Sequence, residues 1–315
     1  MSKKFEIYAG KELAAYGFPE GHPFGLSRHD AFMEEVNADP VLNKITLHKP
    51  VLAEKNQLMM FHTENYIEMV QLKSKQGFGY LDTGDTPAFP GVFEAASYVV
   101  GSAVDAVNRI MSGEILKVFI PIAGLHHGRR DRASGFCVFN DCGVVIEQLL
   151  QVYGLQKVAY VDIDAHHGDG VFYGFESDPR VVFSDIHESG QYLFPGTGSS
   201  DETGINEAKG SKLNIEMNPG DSDVEFLVAW QSVLEFLHKN KPEFILFQCG
   251  ADSLAGDPLA HLKYSPDTHA RASKDLADLA NKYCGGKMLA VGGGGYNLSN
   301  IKQAWAGVVH GLIDK

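Results

Sequence analysis

No run of the 315-residue sequence approaches the roughly 18 consecutive apolar residues that a membrane-spanning helix requires. Basic residues are scarce: 27 Lys and Arg stand against 40 Asp and Glu, a formal charge of −13. That balance argues against a nucleic-acid partner, because gripping phosphate backbones needs clustered Lys and Arg. It favours a cationic substrate. Only four cysteines occur, Cys137, Cys142, Cys249 and Cys284. No two form a C-x-x-C pair, so a zinc ribbon and a thioredoxin-type motif are both excluded. They read as reduced, mostly buried thiols of a cytoplasmic protein. The opening residues, MSKKFEIYAGKEL, place no apolar core behind their paired lysines and do not read as a secretory leader. Several catalytic signatures are also missing. There is no G-x-S-x-G elbow, no H-E-x-x-H and no G-x-x-x-x-G-K-S/T loop. Gly292–Gly295 and Gly196-Thr-Gly198 both lack the glycine spacing of a dinucleotide fold.

Glycine, by contrast, is abundant: 34 residues, about 11% of the chain, where about 7% is usual. Glycine collects where a backbone turns sharply or approaches something closely. Short apolar runs, β-branched or aromatic, predict buried strands at Lys117–Ile120, Lys157–Val161, Val181–Phe183, Lys212–Ile215, Phe244–Phe247 and Lys287–Val291. Helical spacing marks Gly91–Met111, Asp141–Val152, Asp223–Lys239, Pro266–Tyr283 and Ser299–Leu312, with Asp223 and Ser299 as N-caps. This alternation predicts an α/β fold, an open parallel sheet with helices on both faces. The first ninety residues read as irregular and helical, wrapping the sheet. No repeat, low-complexity stretch or linker divides the chain, so residues 1–315 form one domain.

In open α/β sheets, chemistry collects past the carboxyl ends of strands. Four of the predicted strands run straight into ionisable or glycine-rich loops. These are Pro121–Gly128 with His126-His127, Asp162-Ile-Asp164-Ala-His166-His167-Gly168-Asp169, Gln248–Ser253 with Asp252, and Gly292–Asn297 with Tyr296. A parallel sheet brings all four to one edge. In an extended segment, side chains two residues apart share a side. Asp164 and His166 can therefore reach one ion, and Asp252 can complete a catalytic zinc site with one position open. Asp162 and Asp169 can each fix the tautomer of one of the paired histidines, giving two His–Asp dyads. Tyr296 can present a phenol to a developing oxyanion. Arg129–Arg132 is too short and too poor in aromatics for a nucleic-acid patch, and reads as a loop held by salt bridges.

The motifs Gly124-Leu-His126-His127, Ser134–Asp141, Val161–Gly170, Phe194–Gly198, Gly250–Ser253, Gly256–Pro258 and Gly292–Asn297 resemble, in order, those of the zinc-dependent histone deacetylase family. That family includes bacterial acetoin-utilisation and acetylpolyamine-deacetylase relatives. The resemblance runs from about His22 to about Trp305 and implies the arginase/deacetylase fold. It implies a hydrolase that removes acetyl groups from lysine side chains, with acetylpolyamines as the alternative substrate. It assigns one Zn2+ to Asp164, His166 and Asp252. His127 with Asp169 becomes the general base and acid, His126 with Asp162 the electrostatic pair, and Tyr296 the carbonyl-polarising group. Gly135, Phe136, Phe194 and Leu259 become the substrate tunnel, and Arg28 the lining of an inner product channel. Potassium is implied at two sites, Asp162, Asp164, His166, Asp185 and Ile186 near the zinc, and Phe175, Asp178, Val181 and Ser211 farther off. Three positions depart from the pattern. Asp185 stands where a serine is common, Gly128 replaces a frequent alanine, and Leu259 stands where the polyamine branch carries a glutamate. Two other readings stay open here: a dimetal ureohydrolase, which shares the fold type, and a non-catalytic binder of acetylated ligands.

Overall fold

The computed structural model describes residues 5–19 and 21–313. The first four residues of the opening segment lie outside that range. Eight strands, all paired in parallel, make one sheet. They are β1 Phe5–Tyr8, β2 Thr46–His48, β3 Lys117–Ile120, β4 Val158–Asp162, β5 Val181–Glu188, β6 Lys212–Met217, β7 Phe244–Gln248 and β8 Met288–Val291. Their order across the sheet is β2-β1-β3-β8-β7-β4-β5-β6. Strands β3, β4, β5, β7 and β8 are buried at every residue. That is why they read as continuous apolar runs rather than alternating ones. Parallel strands cannot be joined by tight turns, so helices such as Val92–Met111, Asp223–Asn240 and Pro266–Tyr283 carry the chain back from one strand to the start of the next.

The first ninety residues hold four α-helices, as expected, and also the two strands β1 and β2, which the sequence reading missed. β1 is four residues long and carries a charged side chain, Glu6, which is buried only because Arg109 donates to it at 2.7 Å. β2 is three largely exposed residues, with no apolar run to betray it. Two helix caps also differ from expectation. Ser222, not Asp223, caps the Asp223–Asn240 helix, in a reciprocal box with Glu225. Asp223 is its first helical residue and accepts from the Ser265 backbone and hydroxyl at 2.7 and 2.6 Å. The last helix runs Leu298–Ile313, and Asn297 Oδ1 accepts the Ser299 N–H at 3.0 Å, so Ser299 lies inside the helix.

The burial expected of the thiols and the salt bridges expected at Arg129–Arg132 are both seen. All four cysteines are buried and free. Arg129 pairs with Asp169, Arg130 with Glu147 and Arg132 with Asp131. Among the described residues, no helix is long and apolar enough to cross a membrane.

Candidate metal centre and active site

Strands β3, β8, β7, β4 and β5 are neighbours, and each delivers polar side chains from its carboxyl end. The loop after β4 carries Asp164 and His166; the turn after β7 carries Asp252. His166 Nδ1 lies 3.1 Å from Asp164 Oδ1 and 3.2 Å from Asp252 Oδ2. All three side chains are buried, and their ligand atoms fall within 4.8 Å of one another. For bonds of about 2.0–2.1 Å, neighbouring ligands on a tetrahedron stand about 3.3 Å apart. The observed spacings match that edge. The remaining carboxylate oxygens are held from behind. Asp164 Oδ2 accepts from Gly294 N at 2.8 Å and Gln248 Nε2 at 2.9 Å, and Asp252 Oδ1 from Ala165 N at 2.9 Å. Two carboxylates buried this close demand a cation between them. The donor set fits zinc: one imidazole nitrogen and two carboxylate oxygens, each carboxylate fixed by partners of its own. Gly250 and Gly294 are required here, because a Cβ at either would run into Asp164 or Asp252.

The paired histidines after β3 form the two expected dyads. His126 Nδ1 meets Asp162 Oδ2 at 2.8 Å, and His127 Nδ1 meets Asp169 Oδ1 at 2.7 Å. Their Nε2 atoms lie 3.1 Å apart. The dyads differ in electrostatics. Burial opposes a charge on His126, but Asp162 and Asp164 outweigh it and raise its pKa to about 9. Burial and the neighbouring His126 depress His127 to about 4, against the pull of Asp169. His127 is therefore the neutral imidazole, its Nε2 the unprotonated ring nitrogen that faces His126 Nε2, and a dication nearby would keep it so. Burial opposes a charge on Asp169, but the hydrogen bond from His127, and then Arg129 on its second oxygen, hold its carboxyl below the usual carboxylate range. Asp141 holds the loop, accepting the Gly124 and Leu125 N–H groups at 2.9 and 2.8 Å.

Tyr296 faces the same point. Burial, then Asp252 and Asp164, push its hydroxyl pKa well above the ordinary value, so it remains a donor. With His127, His166, Gly135, Phe136, Phe194, Leu259, Leu193 and Asp85 it lines a cavity of about 210 Å³ that opens to solvent. Every predicted tunnel residue is present in that wall. The Phe194 ring stands edge-on to His127 at 5.0 Å, and Phe136 edge-on to Tyr296 at 5.8 Å.

Arg28 is buried behind the Tyr296 loop. It donates to the Gly295 and Gly293 carbonyls at 2.8 and 2.6 Å, and its Nη1 has no protein partner. Of the residues assigned to potassium, Asp162 and Asp185 pair across β4 and β5, beside Asp164, His166 and Ile186. The Asp185 carboxylate is already engaged, by His187 Nδ1 and Gly168 N, both at 2.8 Å. Asp178, Val181 and Ser211 gather at the opposite end of β5, around the Lys212 ammonium, and Phe175 accepts the Asp178 N–H.

Three contributors were not assigned from sequence. Gln248 is the last residue of β7 and Asp85 lies in a bend on the cavity wall; neither carries a motif of its own. Asp257 accepts the Tyr296 N–H at 2.8 Å and the Leu259 N–H at 2.9 Å, so one carboxylate sets both the phenol loop and a tunnel wall. The sequence Gly256-Asp257-Pro258 signals a turn and matches a family motif, but gives Asp257 no role. Asp257→Asn keeps one acceptor and turns a donor toward the other N–H. It is expected to lower kcat roughly 10–10²-fold through misplacement of Tyr296, with zinc content unchanged. Steady-state kinetics with metal analysis would check this; loss of zinc would mean that Asp257 acts on the metal site instead.

The whole molecule has close counterparts. A family model described as "Histone deacetylase domain" matches residues 22–312. The chain is 40% identical over 304 residues to acetoin utilization protein AcuC of Bacillus subtilis, covering 92% of this chain and 77% of that one. It is 33% identical to AcuC of Staphylococcus aureus strain MSSA476, covering 100% and 82%. The crystal structure of the HDA15 HD domain superposes with a TM-score of 0.91 at 28% identity, over 99% of this chain and 90% of that one. Fold, metal triad, dyads and these likenesses agree: the chain belongs to the histone deacetylase family and is a hydrolase of the deacetylase class.

Proposed function

We propose that the chain removes acetyl groups from lysine side chains in peptides or proteins, using one zinc ion. The observation that carries this reading is the spacing of the Asp164, His166 and Asp252 ligand atoms at the floor of a narrow, aromatic-walled cavity. Zinc held there would supply Lewis acidity, lowering the pKa of a water toward ~7 and polarising the acyl carbonyl. The chain's own residues do the rest. Phe136, Phe194 and Leu259 grip a linear methylene stem, and the Gly135 carbonyl accepts the substrate amide N–H. His127 Nε2 takes a proton from the attacking water as its oxygen bonds to the acyl carbon. The Tyr296 hydroxyl donates to the oxyanion that forms, and the His126–Asp162 pair steadies the charge nearby. His127 then returns the proton to the leaving nitrogen. The C–N bond breaks, releasing acetate and a free amine. Arg28, with its unpaired Nη1, is suited to meet the acetate in the interior. One potassium ion is proposed at Asp162, Asp164, His166, Asp185 and Ile186. Its ligands would be mainly backbone carbonyls, since the Asp185 carboxylate is taken.

A dimetal ureohydrolase is disfavoured: the described residues offer one three-ligand cluster, Asp164, His166 and Asp252. A non-catalytic binder would have no use for intact dyads and phenol. The acetylpolyamine alternative keeps one specific support. Asp85 brings a carboxylate to the cavity wall, where it can meet a second ammonium. Turnover of acetyl-lysine peptides, acetylpolyamines and longer acyl-lysines, compared in one panel, tests the proposal. Acetyl-lysine peptides should give the highest kcat/KM. A strong preference for acetylpolyamines would overturn the lysine assignment and leave the deacetylase class standing.

A further inference from the structure

The residues that the family resemblance offers for a second potassium ion do not fit a free ion. Phe175, Asp178 and Val181 lie between the Asp169–Gly174 helix and the start of β5, and Ser211 just precedes β6. Lys212, the first residue of β6, turns inward among them and is 2% exposed. Its Nζ lies 3.0 Å from the Asp178 carbonyl, 2.7 Å from the Val181 carbonyl and 2.8 Å from Ser211 Oγ. An ammonium has three N–H donors, and these three acceptors use all of them. The other two carbonyls each accept one backbone N–H and take no part in holding the ammonium. Phe175 accepts the Asp178 N–H at 3.0 Å, and Ser211 accepts the Phe183 N–H at 3.1 Å.

We infer that the Lys212 ammonium is a built-in cation that fills the far site, so that no exchangeable monovalent ion binds between the Asp178 and Val181 carbonyls. The inference does not depend on the substrate or on the chemistry of the zinc site. Burial lowers the Lys212 pKa to about 8, against the pull of Asp178 and Glu176, which leaves the group charged at neutral pH. The ammonium staples the turn after the helix that begins with Asp169 to the edge of the sheet. The sequence performs with a covalently tethered charge what a bound ion would otherwise do, and the tether removes the entropy loss of capturing a free ion.

Thallium(I), a heavy monovalent cation with a strong anomalous signal, is the probe. Crystals of the full chain soaked in a thallium salt should show no anomalous peak between the Asp178 and Val181 carbonyls. Lys212→Ala empties the cradle. That variant should take up one thallium there, and its unfolding midpoint should fall on the order of 5 °C in tetramethylammonium chloride. Potassium chloride at equal ionic strength should recover most of that loss, with a smaller response in the wild type. A thallium ion on those carbonyls in the wild type, with Lys212 displaced, would overturn the inference. So would a folded Lys212→Ala chain that binds no ion and loses no stability. If the variant fails to fold, the wild-type soak decides alone.

Discussion

Asp252→Ala should leave a folded chain without its metal. Asp252 offers one of the three candidate ligand atoms, and its Oδ2 sits 3.2 Å from His166 Nδ1. Two ligands, Asp164 and His166, cannot hold zinc against dilution as three do. Metal content should fall from one ion per chain to near zero. Turnover should fall by at least about three orders of magnitude, the equivalent of several kcal/mol of lost charge stabilisation. The fold should survive, because Asp252 lies in the turn after β7 and outside the sheet's core. Elemental analysis, circular dichroism and a single-turnover assay on the same preparation would check all three statements. Retention of stoichiometric zinc with full activity would remove Asp252 from the ligand set.

Tyr296→Phe carries the second large effect. The ring keeps its edge contacts with Phe136 at 5.8 Å and Phe24 at 6.4 Å, and the backbone N–H still reaches Asp257. Only the donor disappears. A donor that serves the oxyanion is worth about 10²–10³ in kcat. KM should barely change, since the bond strengthens in the transition state and not in the ground state. The opposite pattern, KM raised and kcat preserved, would make Tyr296 a substrate-binding group only.

Much of this site can be read from sequence because the chemistry sits in unbroken strings directly behind apolar strands. Asp162 through Asp169 follows Val158–Val161, and Asp252 follows Phe244–Phe247, so strand ends alone brought the triad together. Tyr296 was legible because four consecutive glycines precede it. Asp257 was not, since its two hydrogen bonds to Tyr296 and Leu259 exist only once separate loops meet. Gln248 holds Asp164 across the β4–β7 pairing, a contact that only register creates. Lys212 reads as an ordinary strand residue, and only the folded turn at Asp178–Val181 shows its ammonium buried. The sheet was legible where it is buried on both faces. It was lost at β1 and β2, where strands are short and a charge or exposure breaks the apolar signal.

The account rests on one zinc ion shared by Asp164, His166 and Asp252. Stripping the full chain with a chelator and adding zinc back in steps, while following deacetylation of an acetyl-lysine peptide, tests it most directly. Activity should vanish on stripping, return linearly and break sharply at one zinc per chain. Undiminished activity in the stripped chain, or a break at two equivalents, would contradict it.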